Sequence, residues 1–377
     1  MRKVKPHRIV PASRPGWQTA IWLAAVLMAP TALAQWSDIK ADEEIVFFTT
    51  MGSRAGSAPG WDLDIRGCVY EPENRRLALG LLEEALELKH VRMTPAEQAR
   101  FKERARLFMV DHERGKRIVV RVGDRDFQLR KSRADGQFFG GAHISDQEAQ
   151  QAGGRRITIR AVLPPADKRI FCGQVELVEP TGFTVVSDID DTIKLTEVTN
   201  RSALLRNTFL ESFKPVPQMA EVYRGWAAEA GARVCYLSAS PWQLFAPLSE
   251  FIQTNQFPAG ALLLREFRWK DESFFNLFKR PDVYKTGAVE DLLRRFPKRR
   301  FVLVGDAGER DPEIYAALAQ KNPEQIARIV IRDMTGATAQ SERYAKLGRN
   351  LPADLWWVFS DAAKLTNAWP TLLRGKN

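Results

Sequence analysis

The stretch Thr184-Val185-Val186-Ser187-Asp188-Ile189-Asp190-Asp191-Thr192 decides the fold of the second half of the chain. It opens with a β-branched apolar pair, which is typical of a buried strand in a parallel sheet. Carboxylates follow from Asp188 onward. In an open α/β sheet, ligands bind in the crevice beyond the carboxyl ends of the strands. Crowded carboxylates repel one another and lose solvation, and a bound cation relieves both costs. Taken alone, the stretch fits an ordinary Asp-rich turn equally well.

After Gly182 the pattern alternates between apolar strands and amphipathic helices, which predicts a Rossmann-like parallel α/β sheet. The predicted strands are Thr184–Ser187, Val234–Leu237, Ala261–Leu264, Phe301–Val304 and Ala327–Ile331. The predicted helices are Ala203–Ser212, Met219–Ala230, Gln243–Gln253, Lys285–Phe296, Pro312–Gln320 and Pro352–Lys364.

From Ala41 to about Pro180 the pattern is mostly β, and Gly and Asp turns separate short alternating runs. This predicts a small antiparallel sandwich with two helical insertions. One insertion is Arg76–Leu88, and the other starts at the capping box Thr94-Pro95-Ala96-Glu97 and runs to about Val110. The chain has 377 residues, enough for two domains. We predict a β-rich domain over 41–180 and an α/β domain over 182–370.

The N-terminus has the three parts of a secretory signal peptide. A basic start precedes the apolar run Ala20–Met28, and Ala32-Leu33-Ala34 provides small residues before Gln35. An uncleaved membrane anchor is the alternative, but the apolar run is short for a full span. We therefore predict a cleaved signal over residues 1–34 and a periplasmic or secreted protein.

Charge and histidine content narrow the classes of function. The formal net charge is +10, but the predicted leader carries five basic and no acidic residues, so the remainder carries +5. This modest charge argues against a nucleic-acid partner. None of the four histidines follows His143. The second half therefore cannot contain its own Ser-His-Asp triad or a histidine-based zinc site.

The chain has three cysteines, at positions 68, 172 and 235. Export permits disulfides, and Cys68 and Cys172 both lie in strand-like runs of the first half. We predict a Cys68–Cys172 bridge, although sequence alone does not establish pairing. Cys235 lies in an apolar run and is expected to behave as a small hydrophobic residue.

Three further signals follow predicted strands or begin a helix. Ser238 follows the second strand, and Lys285 begins a helix. The fourth strand ends in Val304-Gly305-Asp306-Ala307-Gly308-Glu309-Arg310-Asp311. Each signal alone is more often a cap, a solvated lysine or a loop. Together they would place a carboxylate nucleophile, an acid–base carboxylate, a metal cage, a hydroxyl and an ammonium at one sheet edge.

This order resembles the four motifs of the haloacid dehalogenase-like superfamily. The fuller runs are similar to the catalytic domain of the App1 phosphatidate phosphatase family, over roughly Gly182 to Thr335. The runs that carry this resemblance are Ser187–Lys194, Leu205–Phe209, Ser238–Trp242, Phe257–Gly260 and Val304–Tyr315. The resemblance implies a Mg²⁺-dependent phosphomonoesterase, and the export signal departs from the intracellular fungal members of the family.

The resemblance also implies a role for each site residue. Asp188 would attack phosphorus and form an aspartyl-phosphate, while Asp190 would act as acid and then base. Thr192 would steady the acid–base residue. Ser238 and Lys285 would hold the phosphoryl oxygens. Mg²⁺ would bind Asp188, the backbone carbonyl of Asp190, Asp306 and Asp311, the last directly or through water.

The segment Ile193–Arg233 holds little beyond a short flap and two helices, so we expect an open site that admits a bulky substrate, unless the β-rich half covers it. Phe267–Arg280 interleaves aromatic and basic residues, which suits a lipid headgroup interface or a core with solvated charges. The expected function is phosphatidate-like hydrolysis. The alternatives are a phosphatase of soluble or protein-bound phosphomonoesters and a non-catalytic phospholipid-binding module.

Overall fold

The computed structural model describes residues 36–72, 76–86, 91–266, 281–352 and 354–366. The predicted leader and the Phe267–Arg280 segment lie outside the described residues. None of the helices in the described part of the chain has the length and apolarity needed to span a bilayer.

Among the described residues, the strands of the first half connect into one nine-stranded sheet, which is not wholly antiparallel as predicted. Its strands are β1 (Glu44–Phe47), β2 (Thr50–Arg54), β3 (Trp61–Glu71), β4 (Asp111–His112), β5 (Val119–Val122), β6 (Arg125–Gln128), β7 (Gln137–Ile144), β8 (Arg156–Ala161) and β9 (Cys172–Val178). The sheet is mixed, because β2 pairs with β9 in parallel. One hydrophobic core, which includes Phe47, Ile65, Val120 and Phe138, joins residues from distant strands of this sheet.

Helices α1 (Arg76–Ala85), α2 (Pro95–Arg106) and α3 (Asp146–Gln151) interrupt this sheet. The predicted capping box of α2 is confirmed, because Thr94 and Glu97 exchange side-chain and backbone hydrogen bonds. The apolar side chains of α1 and α2 pack away from the β-rich core. Leu82 and Phe101 belong to a core shared with Phe209 and Trp226 of the second half.

The predicted parallel sheet is confirmed. Its strands lie in the order β12-β11-β10-β13-β14-β15, all parallel to their neighbours. They are β10 (Phe183–Asp188), β11 (Arg233–Pro241), β12 (Gly260–Arg265), β13 (Arg300–Asp306), β14 (Ile326–Arg332) and β15 (Trp356–Phe359). The helices are α4 (Arg201–Phe209), α5 (Met219–Ala230), α6 (Phe245–Thr254), α7 (Pro281–Arg295), α8 (Asp311–Lys321) and α9 (Glu342–Leu347).

Alternate residues of each strand enter two different cores. Val185 packs in the core that contains α4, α5 and α6, whereas Val186 packs in the core with α7, α8 and α9. Both faces of the sheet are therefore covered, as a parallel sheet requires. The chain passes from β10 to β11 on one side and later returns to β13 on the other. This reversal of strand order lies at β10 and marks the expected crevice.

Two sequence predictions are wrong. Pro352–Lys364 is not a helix, because its aromatic and β-branched run forms β15, which pairs with β14 through Ile329↔Trp356. The Cys68–Cys172 bridge is absent, and all three cysteines are free. Cys68 is buried on β3 and Cys172 is exposed at the start of β9, while β2 lies between these strands.

Candidate active site

The carboxyl edge of the parallel sheet brings together the residues that the sequence motifs selected. Asp188 ends β10, Asp306 ends the neighbouring β13, and Asp311 begins α8 directly after the connecting loop. All three are buried. One carboxylate oxygen from each lies within 4.8 Å of the other two. The predicted cluster at the sheet edge therefore forms.

The carboxylate of Asp188 is held on both oxygens. Lys285 Nζ lies 2.7 Å from Oδ1, and the Thr192 hydroxyl donates to Oδ2 over 3.1 Å. Thr192 reaches this carboxylate because the backbone N–H groups of residues 192, 193 and 194 all bond to the Ile189 carbonyl. The turn folds Thr192 back beside Asp188. The Thr192 hydroxyl thus donates to Asp188, and the implied role of Thr192 in steadying Asp190 stays a prediction.

Lys285 lies in the second turn of α7 and is fully buried. Besides Asp188, its ammonium bonds to Asp311 Oδ1 at 2.7 Å and to Glu309 Oε2 at 2.8 Å. An ammonium has three N–H donors, and three carboxylates occupy them. Glu309 is the most exposed of these partners, with 24% of its side chain accessible.

Asp306 has one satisfied and one unsatisfied oxygen. Gly308 N–H donates to its Oδ2, whereas Oδ1 is buried with no hydrogen-bond partner among the described residues. Gly305 makes room for the neighbouring carboxylate, because a Cβ there would lie 2.4 Å from Asp311 Oδ2. A buried carboxylate oxygen without a donor is costly. Its position beside two further carboxylates fits a hard cation with oxygen ligands, such as Mg²⁺.

The electrostatics of the cluster support this fit. Burial and the negative charge of Asp311 raise the pKa of Asp306 to about 8. Burial raises the pKa of Asp188 and Glu309 as well, although Lys285 opposes it in both cases. Burial acts to lower the pKa of Lys285, but its carboxylate partners outweigh this and raise it. Three carboxylates thus share the Lys285 ammonium and Asp306 lies beside them, so a divalent cation would offset negative charge in the cluster.

Asp190 has a different environment. Its Oδ1 accepts from Lys194 Nζ and Thr196 Oγ1, both at 2.8 Å. Its Oδ2 accepts from the hydroxyls of Ser238 at 3.0 Å and Ser240 at 3.2 Å. Burial would raise the pKa of Asp190, but these donors, led by Lys194, lower it to about 2. Ser238, predicted to hold phosphoryl oxygens, instead donates to Asp190 here.

Asp191 shapes the loop that follows. It adopts a left-handed backbone conformation with φ of 54°. Its carboxylate accepts backbone N–H bonds from Thr196, Glu197 and Val198 at 2.7 to 2.8 Å. These bonds fold the loop back so that Thr196 reaches Asp190. Asp191 is therefore a structural carboxylate.

Sequence reasoning missed four polar residues of the site, namely Lys194, Thr196, Ser240 and Glu309. Lys194 and Glu309 lie within the runs that carry the family resemblance, but nothing in their spacing indicates a partner. The alternation Ser238-Ala239-Ser240 at the end of β11 was a usable signal, because residues two apart on a strand face the same side. The register of β10 against β11 then brings both hydroxyls to Asp190.

Residues 183–333 match the family described as "Phosphatidate phosphatase APP1, catalytic domain". This part of the chain is therefore similar to the App1-like catalytic domain. Phosphatidate phosphatase APP1 of Saccharomyces cerevisiae is 36% identical over 159 residues, which cover 41% of this chain and 26% of that protein. An uncharacterized protein of Schizosaccharomyces pombe is 32% identical over 171 residues, 44% of this chain and 27% of that protein.

The chain thus spans about a quarter of the length of these two relatives. A solved carbohydrate esterase covers 89% of this chain and 98% of its own, but with 10% identity and a TM-score of 0.25 it supports no argument about the fold. Every candidate site residue lies within the App1-like region. The nine-stranded sheet and helices α1 to α3 lie outside it.

Proposed function

We propose that this chain is a Mg²⁺-dependent phosphomonoester hydrolase of the haloacid dehalogenase-like type, with a phosphatidate-like substrate and an aspartyl-phosphate intermediate. The observation that carries the proposal is the buried cluster of Asp188, Asp306 and Asp311, in which Asp306 Oδ1 has no partner among the described residues. The App1-like match over the same residues supports it.

The carboxylates of Asp188, Asp306 and Asp311, with the backbone carbonyl of Asp190, would hold Mg²⁺. The ion would neutralise charge on the transferring phosphoryl group. The donor set consists of oxygens only, which favours Mg²⁺ over zinc.

In the first step, an oxygen of Asp188 forms a bond to phosphorus while the bond from phosphorus to the leaving alkoxide oxygen breaks. Asp190 gives a proton to that alkoxide. In the second step, a water attacks phosphorus and gives its proton to Asp190. The bond between phosphorus and Asp188 then breaks, which releases inorganic phosphate, restores the Asp188 carboxylate and leaves Asp190 protonated, as it was at the start of the first step.

The low pKa of Asp190 bears on its two tasks. In the free protein the group is a carboxylate at neutral pH, because Lys194 and the hydroxyls outweigh burial. Negative charge on a bound phosphate would raise its pKa, since like charges disfavour ionisation. When the substrate binds, Asp190 would thus take up a proton, and it would later donate this proton to the leaving alkoxide.

Ser238 and Lys285 would hold the phosphoryl oxygens. Lys285 already donates to three carboxylates, so a phosphoryl contact requires the exchange of one of them. Glu309 is the best candidate for this exchange, because it is the most exposed of the three. Its displacement would free one N–H of Lys285 for the substrate.

The lack of a cap domain in segment 193–233 suits a bulky substrate. Between Ile193 and Arg233 the chain forms only a loop, α4 and α5, so this segment adds no separate cap domain. We further propose that the protein acts in the periplasm or after secretion, following cleavage behind Ala34. The Phe267–Arg280 segment would contact the membrane surface peripherally.

Two other functions are alternatives to this proposal, one an enzyme and one a binding module. A phosphatase of soluble or protein-bound phosphomonoesters would use the same carboxylates, and only the substrate separates it from the leading proposal. A non-catalytic phospholipid-binding module would not need an acid–base group. The four donors that hold Asp190 favour turnover over binding alone.

The test is phosphate release by the chain from Gln35 onward, with Mg²⁺ or with EDTA. Dioctanoyl phosphatidate and p-nitrophenyl phosphate are compared in parallel. We expect Mg²⁺-dependent release, a preference for phosphatidate, and loss of at least a thousandfold in Asp188→Asn. The matched control is Asp291→Asn, because Asp291 is an exposed carboxylate on α7 outside the site.

Release by Asp188→Asn at the wild-type rate would contradict the aspartyl-phosphate. A preference for p-nitrophenyl phosphate would favour soluble substrates. No release of either, from folded protein that binds Mg²⁺, would favour the binding module.

A further inference from the structure

A cleft of about 420 Å³ lies between α2 and α6, outside the carboxylate cluster. Its lining includes Arg100, Arg104, Arg106, Phe213, Pro247 and Phe251. We call it the α2–α6 cleft. One wall comes from the first half of the chain and the other from the App1-like region, and no step of the proposed hydrolysis uses it.

Three guanidinium groups line this cleft, and the described residues give them no salt bridge. Arg104 is buried, and its Nη1 donates to the carbonyls of Thr208 at 2.7 Å and Glu211 at 2.8 Å. Arg100 donates to the Leu210 carbonyl. Among residues the structure describes, Arg100, Arg104 and Arg106 form no salt bridge with a carboxylate. Arg100 and Arg104 therefore donate to backbone carbonyls, while Glu103 and Glu250 act on Arg104 only through their charge.

This arrangement leaves positive charge in a partly desolvated place. Burial, helped by the charge of Arg100, lowers the pKa of Arg104 to about 10. Glu103 and Glu250 also line the cleft, but both are exposed, so solvent screens their effect. A bound anion would offset the charge through charge-assisted hydrogen bonds to the guanidiniums.

The remaining lining is mixed, with apolar side chains beside the polar Ser212, Gln243, Thr254 and Asn255. The Arg104 guanidinium carbon lies 3.9 Å from the centroid of the Phe213 ring, and Phe213 packs edge-on against Phe251 at 6.1 Å. Pro247 and Leu107 add further apolar surface. The volume lies within the range of small-molecule sites. Cationic groups beside such a surface suit a ligand with a charged head and an apolar body.

We propose that the α2–α6 cleft binds an anionic amphiphile, with its phosphate group on Arg100, Arg104 and Arg106 and its apolar part on Phe213 and Phe251. The Phe213 ring also contacts Lys194, whose Nζ lies 4.9 Å from the ring centroid. The same Lys194 ammonium binds the Asp190 carboxylate. The occupant thus lies one aromatic ring from the group that holds Asp190. An acidic lipid seated there would anchor the enzyme beside its substrate at a membrane surface.

The test is calorimetric titration of the chain from Gln35 onward in EDTA. The probe is dihexanoyl-phosphatidylglycerol below its micellar concentration, which is a phosphodiester and so no substrate for a phosphomonoesterase. Dihexanoyl-phosphatidylcholine and inorganic phosphate are the comparison ligands. We expect saturable binding of the probe, and at least tenfold weaker binding of both comparison ligands. Because no hydrolysis is involved, the outcome is independent of the proposed function.

Arg104→Met removes the buried guanidinium of the cleft, but the bonds of Arg104 to backbone carbonyls also support the fold. Arg106→Ser is therefore measured alongside it, because Arg106 is exposed. We expect at least tenfold weaker binding of the probe in Arg106→Ser. The matched control is Lys102→Ser, which removes an exposed positive charge from the same helix outside the cleft. It should change binding by less than twofold.

Equal affinities of Arg106→Ser and Lys102→Ser would overturn the proposal. If inorganic phosphate bound as tightly as the probe, the proposal that the ligand is an amphiphile would be overturned. Loss of binding in Asp188→Asn with retention in Arg106→Ser would place the ligand at the carboxylate cluster and would also overturn it.

Discussion

Asp188 and Asp190 lie two residues apart, but their surroundings favour opposite protonation states in the absence of a cation. Burial among carboxylates raises the pKa of Asp188, whereas Lys194 and three hydroxyls lower that of Asp190 to about 2. Environments that move the pKa values of two carboxylates in opposite directions are typical of sites in which the two groups have different tasks. Among the residues that lower the pKa of Asp190, Lys194 contributes most.

Replacement of Lys194 by Met removes the strongest donor to Asp190. We expect kcat to fall about a hundredfold or more, because a misplaced acid–base group loses much of its catalytic contribution. The loss should be larger for an alkyl phosphate than for p-nitrophenyl phosphate, since the poorer leaving group depends more on protonation. Steady-state kinetics with both substrates measure this.

Lys214→Met is the control, because Lys214 is an exposed lysine of the same loop region. It should leave both rates within twofold. An equal loss on both substrates in Lys194→Met would contradict the positioning of Asp190 and indicate general damage to the fold.

Asp306→Asn tests the charge of the cluster through stability. In EDTA the unfolded carboxyl ionises near its ordinary pKa of 3.8, while the folded one keeps its proton up to about 8. The folded state then binds more protons, so wild-type stability falls as pH rises between these values, by up to about 1.4 kcal/mol per pH unit. The variant lacks this decline.

Thermal unfolding of both proteins in EDTA at pH 5 and pH 8 measures the difference. We expect the unfolding temperature of Asp306→Asn, relative to that of the wild type, to be higher at pH 8 than at pH 5. Added Mg²⁺ should stabilise the wild type and not the variant, because the ion binds the folded carboxylates. A constant difference across pH would contradict the raised pKa of Asp306.

At the scale of elements, α2 supports the C-terminal end of α4. Arg100 and Arg104 donate to the carbonyls of residues 208, 210 and 211, which lie at or just beyond the end of that helix. These carbonyls have no partner within the helix, and positive charge at a helix C-terminus is favourable. The bonds connect the first half of the chain to the region beside Asp190.

Arg104→Met should loosen α4. Loss of two hydrogen bonds from a charged donor leaves buried carbonyls unsatisfied, which costs about 1–3 kcal/mol for each group. Hydrogen exchange should therefore become faster in α4 (Arg201–Phe209) than in α5 (Met219–Ala230). Lys102→Met, on the outer side of α2, should leave both rates unchanged. Uniform acceleration throughout the chain would show that the effect is not local to α4.

The sequence predicted elements well where a regular pattern dominates. The run at Thr184 identified β10, and α5 has the predicted bounds Met219–Ala230. It failed for β15, where the helical interpretation missed that Trp356 and Val358 pair with β14. The sequence does not reveal that the Thr192 hydroxyl lies beside Asp188, because a turn of three N–H bonds to one carbonyl leaves no periodic signature. The donors to Asp190 come from two separate elements, which spacing along the chain does not reveal.

At the scale of the whole molecule, the two halves share one core. Leu86 and Phe108 from the α1–α2 region pack in the same cluster as Phe209 and Trp226. The Leu262 N–H also bonds to the Thr49 carbonyl, which joins the two sheets. The predicted domain ranges 41–180 and 182–370 stay predictions, but the packing shows that a cut between them would expose apolar surface.

We therefore expect the full chain from Gln35 to unfold in one cooperative transition, and the fragment 182–377 to be much less stable. Each fully buried apolar side chain that loses its partners costs about 1.5–3 kcal/mol. Chemical denaturation followed by tryptophan fluorescence measures both. A fragment with the stability of the full chain would show that α1 and α2 are dispensable. Addition of residues 76–180 in trans should restore stability if docking is the cause.

The distribution of the free thiols has a practical consequence. Cys172 is exposed, while Cys68 and Cys235 are buried and burial raises their thiol pKa values, which suppresses the reactive thiolate. A maleimide dye should therefore attach to the native protein at one position, on β9 of the first sheet and outside the App1-like region. The chain carries a ready-made attachment point for fluorescence or surface immobilisation, without any engineered cysteine.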